Sequence, residues 1–490
     1  MTEDARRWRA LAVCLIGGSM VLLDVSIVNV ALPSIETGLK AATSELQWVV
    51  SGYALTFGLL LVPAGRFGDL RGRREVFVGA LALFTLASAL CGAAPNAITL
   101  VVARLIQGLA GGTLTPQISA TIQEMFSGRE RGRAFGYFGT MVGIATAIGP
   151  LLGGLLIQLF GDTEGWRAVF YVNIPIGLIA IPFAWWLLPT RDDAAARRKH
   201  DYDPVGVVLL GIGAVVLLLP FVQEREWGTW KWLLLPLAAA VLAVFVLWDR
   251  RYLRREKEPL VDFALYKRRS YAFGSAMIAF YFAGFTPLFF VFTLYLQTGL
   301  AYSALAAGLA MTPFAIGSAV AANFGGRRVH DYGRPLITLG LLLVAVGFVG
   351  TIIAVHFVPN TGTGWATVAP LLVAGFGSGL VIAPNQTLTL SEVPVEQAGT
   401  AGGLLQTGQR VGAAVGIAAV GSAFFASIAS SHGNFAHAYV IGILAALGFI
   451  AAAFVMTLVD IYVDRHRLHG KHELERDDDK HEAVTGTAPG

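Results

Sequence analysis

The chain has 490 residues, of which 55% are hydrophobic and 14% are charged, and its formal net charge is +4. A soluble domain carries about 25% charged residues, so this composition excludes a soluble multidomain protein and predicts an integral membrane protein. The 57 glycines suit membrane helices that approach each other closely through small residues.

Apolar runs of about 20 residues, the length that crosses a bilayer as a helix, recur along the whole chain. They predict an all-α integral membrane protein with fourteen transmembrane helices, and the even number places both termini on one side. The predicted spans are 10–32, 46–64, 76–94, 98–122, 134–159, 168–188, 204–222, 232–248, 271–296, 304–322, 336–357, 365–386, 404–427 and 436–462.

The positions of the basic residues predict the orientation. With a cytoplasmic N-terminus, thirty of the 36 Lys and Arg lie in cytoplasmic segments; four lie outside and two, Arg104 and Arg410, lie within spans. Because Lys and Arg concentrate in cytoplasmic loops, we expect both termini in the cytoplasm and the protein in the cytoplasmic membrane of a bacterium.

The spacing of the spans predicts two six-helix bundles, 10–188 and 271–462, with an extra helix pair, 204–248, between them. Cytoplasmic segments at 1–9, 189–203 and 249–270 flank these units, and the polar tail 463–490 is expected to be disordered.

A weak internal repeat supports two related halves. Gly65 and Gly72 recur as Gly326 and Gly333 at an offset of 261. The glycines of span five and its approach recur in span thirteen at an offset of 267, in the pairs Gly132 and Gly399, Gly136 and Gly403, Gly149 and Gly416, and Gly154 and Gly421.

Asp24 lies inside the first apolar run, where a charged side chain costs about 2.5–3.5 kcal/mol or more and marks a functional site. Its predicted partner is Arg104. At a rise of 1.5 Å per residue, Asp24 lies about 12 Å and Arg104 about 9 Å from the outer ends of their spans. The two charges therefore lie at similar depth, and two buried charges cost less free energy when they are paired. The alternatives are an Asp24 that stays protonated or bonds to a neighbouring helix, and an Arg104 that bonds only to helix carbonyls.

The loop after span two, Gly65-Arg-Phe-Gly-Asp69-Leu-Arg-Gly72-Arg73-Arg74, resembles the signature loop of the major facilitator superfamily. Its glycines permit a tight turn, and Asp69 can lie at a helix N-terminus or pair with an arginine. The resemblance implies that Gly65, Asp69, Gly72 and Arg73 hold the cytoplasmic side shut. Leu70 stands where the family often has a basic residue.

Two further motifs resemble those of proton-driven members of the superfamily. Arg104-Leu-Ile-Gln107-Gly108 in span four resembles the motif for proton transfer, which implies that Asp24 and Arg104 couple transport to protons. Span five contains Gly149-Pro150-Leu-Leu-Gly153-Gly154, which resembles the antiporter motif and implies export, although a packing helix would share much of it.

Three stretches narrow the resemblance to the fourteen-helix drug:proton antiporters, the EmrB/QacA-like multidrug efflux transporters. They are Leu23 to Pro33, Trp166 to Gly177, and Leu294 to Pro313, and the resemblance runs from about Leu11 to Val459. It implies a major facilitator fold and proton-coupled efflux of amphiphilic, cationic drugs by alternating access.

Polar and aromatic side chains in the spans are the candidates for contacting substrate: Asn29, Tyr53, Phe57, Gln107, Phe280, Tyr281 and Phe285. Arg410 could snorkel to the interface, pair across the bundle or meet an anionic substrate; snorkelling or structural pairing is expected.

Other functions are kept open or disfavoured. The same fold could export an endogenous metabolite, antibiotic or lipid, or take up a substrate by proton symport. An enzyme is disfavoured because the spans hold no nucleophile or metal constellation. We therefore expect no cofactor, no metal and no nucleic acid; the expected partners are a small amphiphilic substrate, protons and the bilayer, with function as a monomer.

Overall fold

The structure is a computed structural model, which describes residues 2–161, 163–190, 203–222, 229–255, 257, 259–358 and 360–485. The predicted loop 189–203 lies largely outside these residues, as do the last five residues of the tail.

The described residues form sixteen α-helices, so the predicted all-α fold is confirmed. Their bounds are α1 Glu3–Leu39, α2 Thr43–Arg71, α3 Arg73–Gly92, α4 Ala97–Met125, α5 Gly128–Phe160, α6 Gly165–Tyr171, α7 Asn173–Leu187, α8 Pro204–Val222, α9 Leu234–Leu253, α10 Arg269–Leu294, α11 Ala304–Tyr332, α12 Arg334–Phe357, α13 Thr363–Ala366, α14 Val368–Thr389, α15 Ala398–Ser430 and α16 Phe435–Thr485.

Thirteen segments of the described chain are long and apolar enough to cross a membrane, with α6 and α7 together making one of them. The remaining predicted span, 204–222, forms α8, whose apolar stretch Pro204–Leu217 is shorter. Several helices, among them α1, α4 and α5, extend beyond the predicted spans because polar residues lengthen them past the apolar runs. Helix α16 continues to Thr485 through a segment that contains no proline and only one glycine. The disorder expected of the tail stays a prediction.

One side of the bundle carries the turns rich in arginine, and we call it the basic side. The arginines lie around the turn at Gly72, at the start of α5 and around the turn at Gly333. Arg7, near the start of α1, donates to the carbonyl of Met125 at 3.1 Å, which places the N-terminus on the same side. Two glycines with positive φ, Gly72 at 112° and Gly333 at 57°, form equivalent turns of the two halves.

The two halves meet along two pairs of helices. Helix α2 packs on α15, and α5 packs on α11. Within each half, α2 packs on α4 and α11 packs on α14. These pairings bring the internal glycine repeats of the two halves into contact.

The extra pair α8–α9 packs against both halves. A Cβ on Gly211 of α8 would lie 2.6 Å from the side chain of Leu59 on α2. Buried Val62 of α2 and Phe245 of α9 belong to one apolar cluster, against which Leu404 of α15 packs. Asp203 accepts the indole N–H of Trp248 at 3.0 Å and so ties α8 to α9.

Candidate functional site

Asp24 and Arg104 form an ion pair inside the N-terminal half. Asp24 of α1 is fully buried and Arg104 of α4 is 2% exposed. Arg104 Nη1 donates to Asp24 Oδ2, and Arg104 Nε donates to the carbonyl oxygen of Val49 on α2 at 3.1 Å. The geometry therefore agrees with the pairing predicted from the matched depths of the two charges.

Gln107, one turn after Arg104 on α4, completes the hydrogen bonding of the pair. Its Nε2 donates to Asp24 Oδ1 at 2.8 Å, and its Oε1 accepts from Arg104 Nη1 at 2.7 Å. A single amide thus holds the carboxylate and the guanidinium in a fixed relation. Gln107 is fully buried, so it contacts the charged pair rather than the cavity described below.

Two polar residues that sequence reasoning did not select extend this network. Asn173 Nδ2 lies 3.4 Å from Asp24 Oδ1 and donates to Ser88 Oγ at 3.1 Å. Ser88 Oγ also accepts from Gln107 Nε2 at 2.6 Å. Both residues are buried, and the break between α6 and α7 at Val172 directs Asn173 inward. The signal in the sequence that could have identified Asn173 is an Asn inside an apolar run, next to a break in the helix.

Close packing between α1 and α5 surrounds Asp24. A Cβ on Gly149 would lie 1.8 Å from Ser26 Oγ, and one on Gly153 would lie 2.9 Å from Ile27. Both glycines therefore let α5 approach α1 within three residues of Asp24. Gly154 faces the other half instead, where its Cβ would lie 3.9 Å from Leu305.

The arrangement permits a carboxylate to exchange a proton in response to a moving guanidinium. A buried ion pair is tolerable when hydrogen bonds satisfy its remaining atoms, as they do here. A carboxyl group is held charged by an adjacent guanidinium and holds its proton when buried without one. Separation of Arg104 from Asp24 would therefore be accompanied by protonation of Asp24.

A cavity of about 80 Å³ lies on the other face of Arg104. Its polar wall consists of Asn29, Tyr53, Arg104 and Arg410, and its apolar wall of Val25, Val28, Val50, Ala54 and Phe57. Asp24 does not line it. The Arg104 side chain thus lies between the buried carboxylate and the cavity.

The aromatic rings of the cavity wall form a continuous stack with the two arginines. The guanidinium carbon of Arg104 lies 4.1 Å from the Tyr53 ring centroid, and that of Arg410 lies 4.6 Å from the Phe57 centroid. The rings of Tyr53 and Phe57 stack at 6.0 Å. Cations over aromatic faces are attracted by the ring quadrupole, so this stack positions both guanidiniums.

Of the seven predicted substrate-contacting residues, the structure places Asn29, Tyr53 and Phe57 at this cavity. Phe280, Tyr281 and Phe285 lie in the C-terminal half away from it. Phe280 is 39% exposed, whereas the Tyr281 hydroxyl donates to Ser378 Oγ at 2.7 Å and its ring stacks on Phe285. Aromatic spacing along α10 did not distinguish a packed or outward face from one that lines a cavity.

Arg410 was expected to snorkel or to form a structural pair. Its side chain lies at the cavity, over the Phe57 ring of the opposite half, and none of the described acidic residues forms an ion pair with it. Snorkelling stays a prediction. The sequence shows its depth in the helix but not the face on which it lies.

On the basic side, Asp69 links the two halves. Its carboxylate accepts the backbone N–H groups of Gly399 at 3.0 Å and Thr400 at 2.9 Å, at the start of α15. Arg73 Nη2 donates to Asp69 Oδ1 at 3.1 Å and also to the carbonyl oxygen of Val395. The helix dipole favours a carboxylate at a helix N-terminus. Asp69 therefore stabilises the contact between α2 and the opposite half.

The repeated glycines form two equivalent contacts between the halves. A Cβ on Gly65 would lie 2.2 Å from the carbonyl oxygen of Gly399, and one on Gly326 would lie 2.4 Å from that of Gly132. The internal repeat relates the first pair to the second. A third contact, which the sequence did not indicate, is polar: Gln386 donates to Ser119 Oγ at 2.9 Å. The basic side is closed in this structure.

Comparison with known proteins identifies the family. The family model described as "Major Facilitator Superfamily" matches residues 14–417. The chain belongs to the Major Facilitator Superfamily. This confirms the resemblance found in the sequence and shows a multi-pass membrane transporter.

Two relatives within the superfamily are similar over most of this chain. The chain is 37% identical to the "Probable actinorhodin transporter" of Streptomyces coelicolor, over 87% of this chain and 74% of that protein. It is 33% identical to the "Puromycin resistance protein pur8" of Streptomyces alboniger, over 93% of this chain and 92% of that protein.

The fold is also that of solved members of the Major Facilitator Superfamily. The crystal structure of the human organic anion transporter MFSD10 (TETRAN) matches 92% of this chain and 99% of its own, with a TM-score of 0.65 and 16% identity. The predicted superfamily fold is thereby confirmed. Assignment to the fourteen-helix EmrB/QacA-like group stays a prediction.

Proposed function

We propose that the protein exports small amphiphilic compounds across the bacterial cytoplasmic membrane by proton-coupled antiport. The observation that carries this proposal is the Asp24–Arg104 pair, buried directly behind a cavity that Arg104 itself lines. One chain contains both halves and the complete pair, so we propose that it functions as a monomer, without a cofactor. Both termini and the basic side face the cytoplasm.

Transport requires at least two arrangements of the halves. In the present one, the contacts of Asp69 and of the glycine pairs close the basic side. In the alternative, these contacts part and the cavity opens to the cytoplasm and inner leaflet. An 80 Å³ cavity is well below the 300–1,000 Å³ typical of sites for drug-sized ligands, so the present state is one from which substrate has left or which it has not yet entered.

The proton and the substrate act on the same arginine from opposite sides. Protonation of Asp24 releases Arg104 from the ion pair, and the freed side chain turns into the cavity and competes with the substrate for space there. Deprotonation restores the ion pair and leaves the cavity free for the next substrate, so that proton and substrate bind in turn, as antiport requires. The membrane potential contributes about 2.3 kcal/mol per charge per 100 mV if net charge moves.

The relatives support export rather than uptake. One is named for puromycin resistance, and another for transport of actinorhodin. Resistance by a transporter requires movement out of the cell. The similarity to the actinorhodin transporter also favours the second candidate, export of an antibiotic made by the cell itself, by the same mechanism.

The test uses purified protein in liposomes with an imposed pH gradient. An anionic and a cationic aromatic dye are loaded on one side in separate samples, and their movement is followed with and without an uncoupler. We expect at least one dye to move opposite to the proton flux, and this movement to be lost on adding the uncoupler. Movement in the same direction as protons would show symport, and movement insensitive to both gradient and uncoupler would refute proton coupling.

A further inference from the structure

We propose that Arg410 binds an acidic oxygen group of the substrate, a carboxylate or phenolate attached to an apolar aromatic body. The proposal rests on the proposed export function and specifies its substrate class. It departs from the cationic substrate expected from the family resemblance, because the charges that line the cavity are both positive.

The first argument is the charge of the cavity wall. Arg104 and Arg410 line it, and no carboxylate does among the described residues; Asp24 is fully buried behind Arg104. The charge of Arg104 is neutralised by Asp24, whereas Arg410 has no ion-pair partner in the described chain. An organic cation would be repelled at this wall, and an anion would be attracted.

The second argument is the free-energy cost of placing the charge of Arg410 within the membrane. A charged side chain at mid-membrane is expensive and is retained where it pairs, lines an aqueous cavity or acts on a substrate. The guanidinium of Arg410 lies against the face of the Phe57 ring, which leaves the N–H groups at its edge available. Those edge donors match the two oxygens of a carboxylate.

The third argument is the apolar part of the same wall. Val25, Val28 and Val50 line the cavity beside the two arginines and provide an apolar surface for the body of an amphiphile. The wall therefore combines a positive charge with apolar side chains, as an amphiphilic anion requires.

The size of the cavity limits what enters in the present state. About 80 Å³ holds a carboxylate with a few waters but not an aromatic body. The body therefore occupies space that appears when the halves separate, with the acidic group anchored at Arg410. Because Arg410 belongs to α15 and the rest of the wall to the N-terminal half, such an anion would bridge the two halves.

The test compares two probes with one aromatic body: anthracene-9-carboxylate and anthracen-9-ylmethylammonium. Binding to the full-length protein in a non-ionic detergent is measured by equilibrium dialysis. We expect the carboxylate to bind about tenfold more tightly than the ammonium, since its hydrogen bonds to a guanidinium are charge-assisted. Arg410→Gln should abolish this preference, and Arg410→Lys should retain part of it.

Arg328→Gln is the matched control. Arg328 also lies over a phenylalanine ring, at 5.2 Å from Phe324, but on the basic side and outside the cavity wall. Its loss should leave the probe preference unchanged. Within the described part of the chain Arg410 makes no hydrogen bond or ion pair, so Arg410→Gln should fold, as checked by its melting temperature.

Other outcomes separate this inference from the proposed function. An equal probe preference in wild type and Arg410→Gln would overturn the inference. If phosphatidylglycerol abolishes carboxylate binding and phosphatidylcholine does not, Arg410 binds an anionic lipid headgroup. That result would also overturn the inference. Gradient-driven export of the ammonium but not the carboxylate would overturn it while export stands. Arg410-dependent carboxylate binding without export of either probe would support it and overturn export of this class.

Discussion

At the scale of single residues, the central feature is a guanidinium shared between a buried carboxylate and a cavity. Arg104 donates through two different nitrogens, to Asp24 and Gln107 from Nη1 and to Val49 from Nε. Its face covers Tyr53. The planar fork of arginine is what allows these contacts at once.

Arg104→Lys tests whether the geometry matters beyond the charge. An ammonium can keep the ion pair with Asp24 but cannot also reach Val49 O and Gln107 in the same positions. We expect the rate of gradient-driven export to fall about tenfold or more, as for the loss of hydrogen bonds worth 1.5–3 kcal/mol from a charged group. Transport by the lysine variant at the wild-type rate would show that charge alone suffices. Lys40→Arg, an exposed substitution beyond α1, is the control.

The pairing of Asp24 with Arg104 could be predicted from the sequence, whereas the residues around the pair could not. The resemblance of span four to the proton-transfer motif suggested the pairing, and the matched depth of the two residues supported it, since depth follows from counting residues. Which face of a helix meets a cavity depends on how the bundle is packed. For that reason the sequence did not place Arg410 at the cavity, and Phe280 and Phe285 were selected although they do not line it.

At the scale of helices, the contact between α2 and α15 controls closure of the basic side. Gly65 and Gly399 lie backbone to backbone, and the two equivalent glycines of α5 and α11 do the same. The repeat offsets in the sequence predicted which glycines correspond. They did not predict that each glycine contacts its partner in the opposite half, because a repeat shows equivalence but not contact.

Gly65→Val should open the basic side. A Cβ there would lie 2.2 Å from Gly399 O, so the helices must separate. Spin labels at the exposed positions Glu75 and Glu396, on opposite halves, should report a longer distance by pulsed electron resonance. Gly79→Val is the control, because a Cβ on Gly79 meets nothing within 4 Å. An unchanged distance in Gly65→Val would contradict the assigned role.

Asp69→Asn should shift the same equilibrium without adding bulk. The change removes one charged acceptor that serves Arg73 and the backbone of Gly399 and Thr400. Hydrogen bonds to charged groups contribute about 1.5–3 kcal/mol, enough to change the populations about tenfold or more.

Asp331→Asn is the comparison variant for Asp69→Asn. Asp331 also bridges the halves on the basic side, to Arg129 at 2.8 Å, but both side chains are exposed. Exposed pairs contribute about 0–1 kcal/mol, so the distance between labels at Glu75 and Glu396 should change little. Equal shifts in the two variants would show that Asp69 has no special part in closure.

At the scale of the whole molecule, hydropathy predicted the helices, and the resemblance of the motifs predicted the major facilitator fold. Every apolar run became a helix, because a membrane helix must satisfy its own backbone hydrogen bonds. Two features departed from this simple pattern. One span is broken into α6 and α7, and α8 and α9 pack against both halves rather than beside the bundle. Both the helix break and the packing of the extra pair depend on tertiary contacts, which a hydropathy profile does not reveal.

In the proposed mechanism, proton binding at Asp24 drives the exchange of states. Asp24→Asn keeps the shape of the side chain but fixes it as neutral, so it should permit substrate exchange while uncoupling it from protons. Arg104 retains its bonds to Gln107 and Val49 in this variant. Folding is therefore expected and is checked by the melting temperature. Glu36→Gln, an exposed carboxylate on the same helix, is the control.

The most direct measurement compares pH-gradient-driven efflux with gradient-free substrate counterflow in liposomes that contain Asp24→Asn. We predict that driven efflux is lost while counterflow continues, and that Glu36→Gln retains both. Undiminished driven efflux in Asp24→Asn would contradict the assignment of Asp24 as the proton carrier.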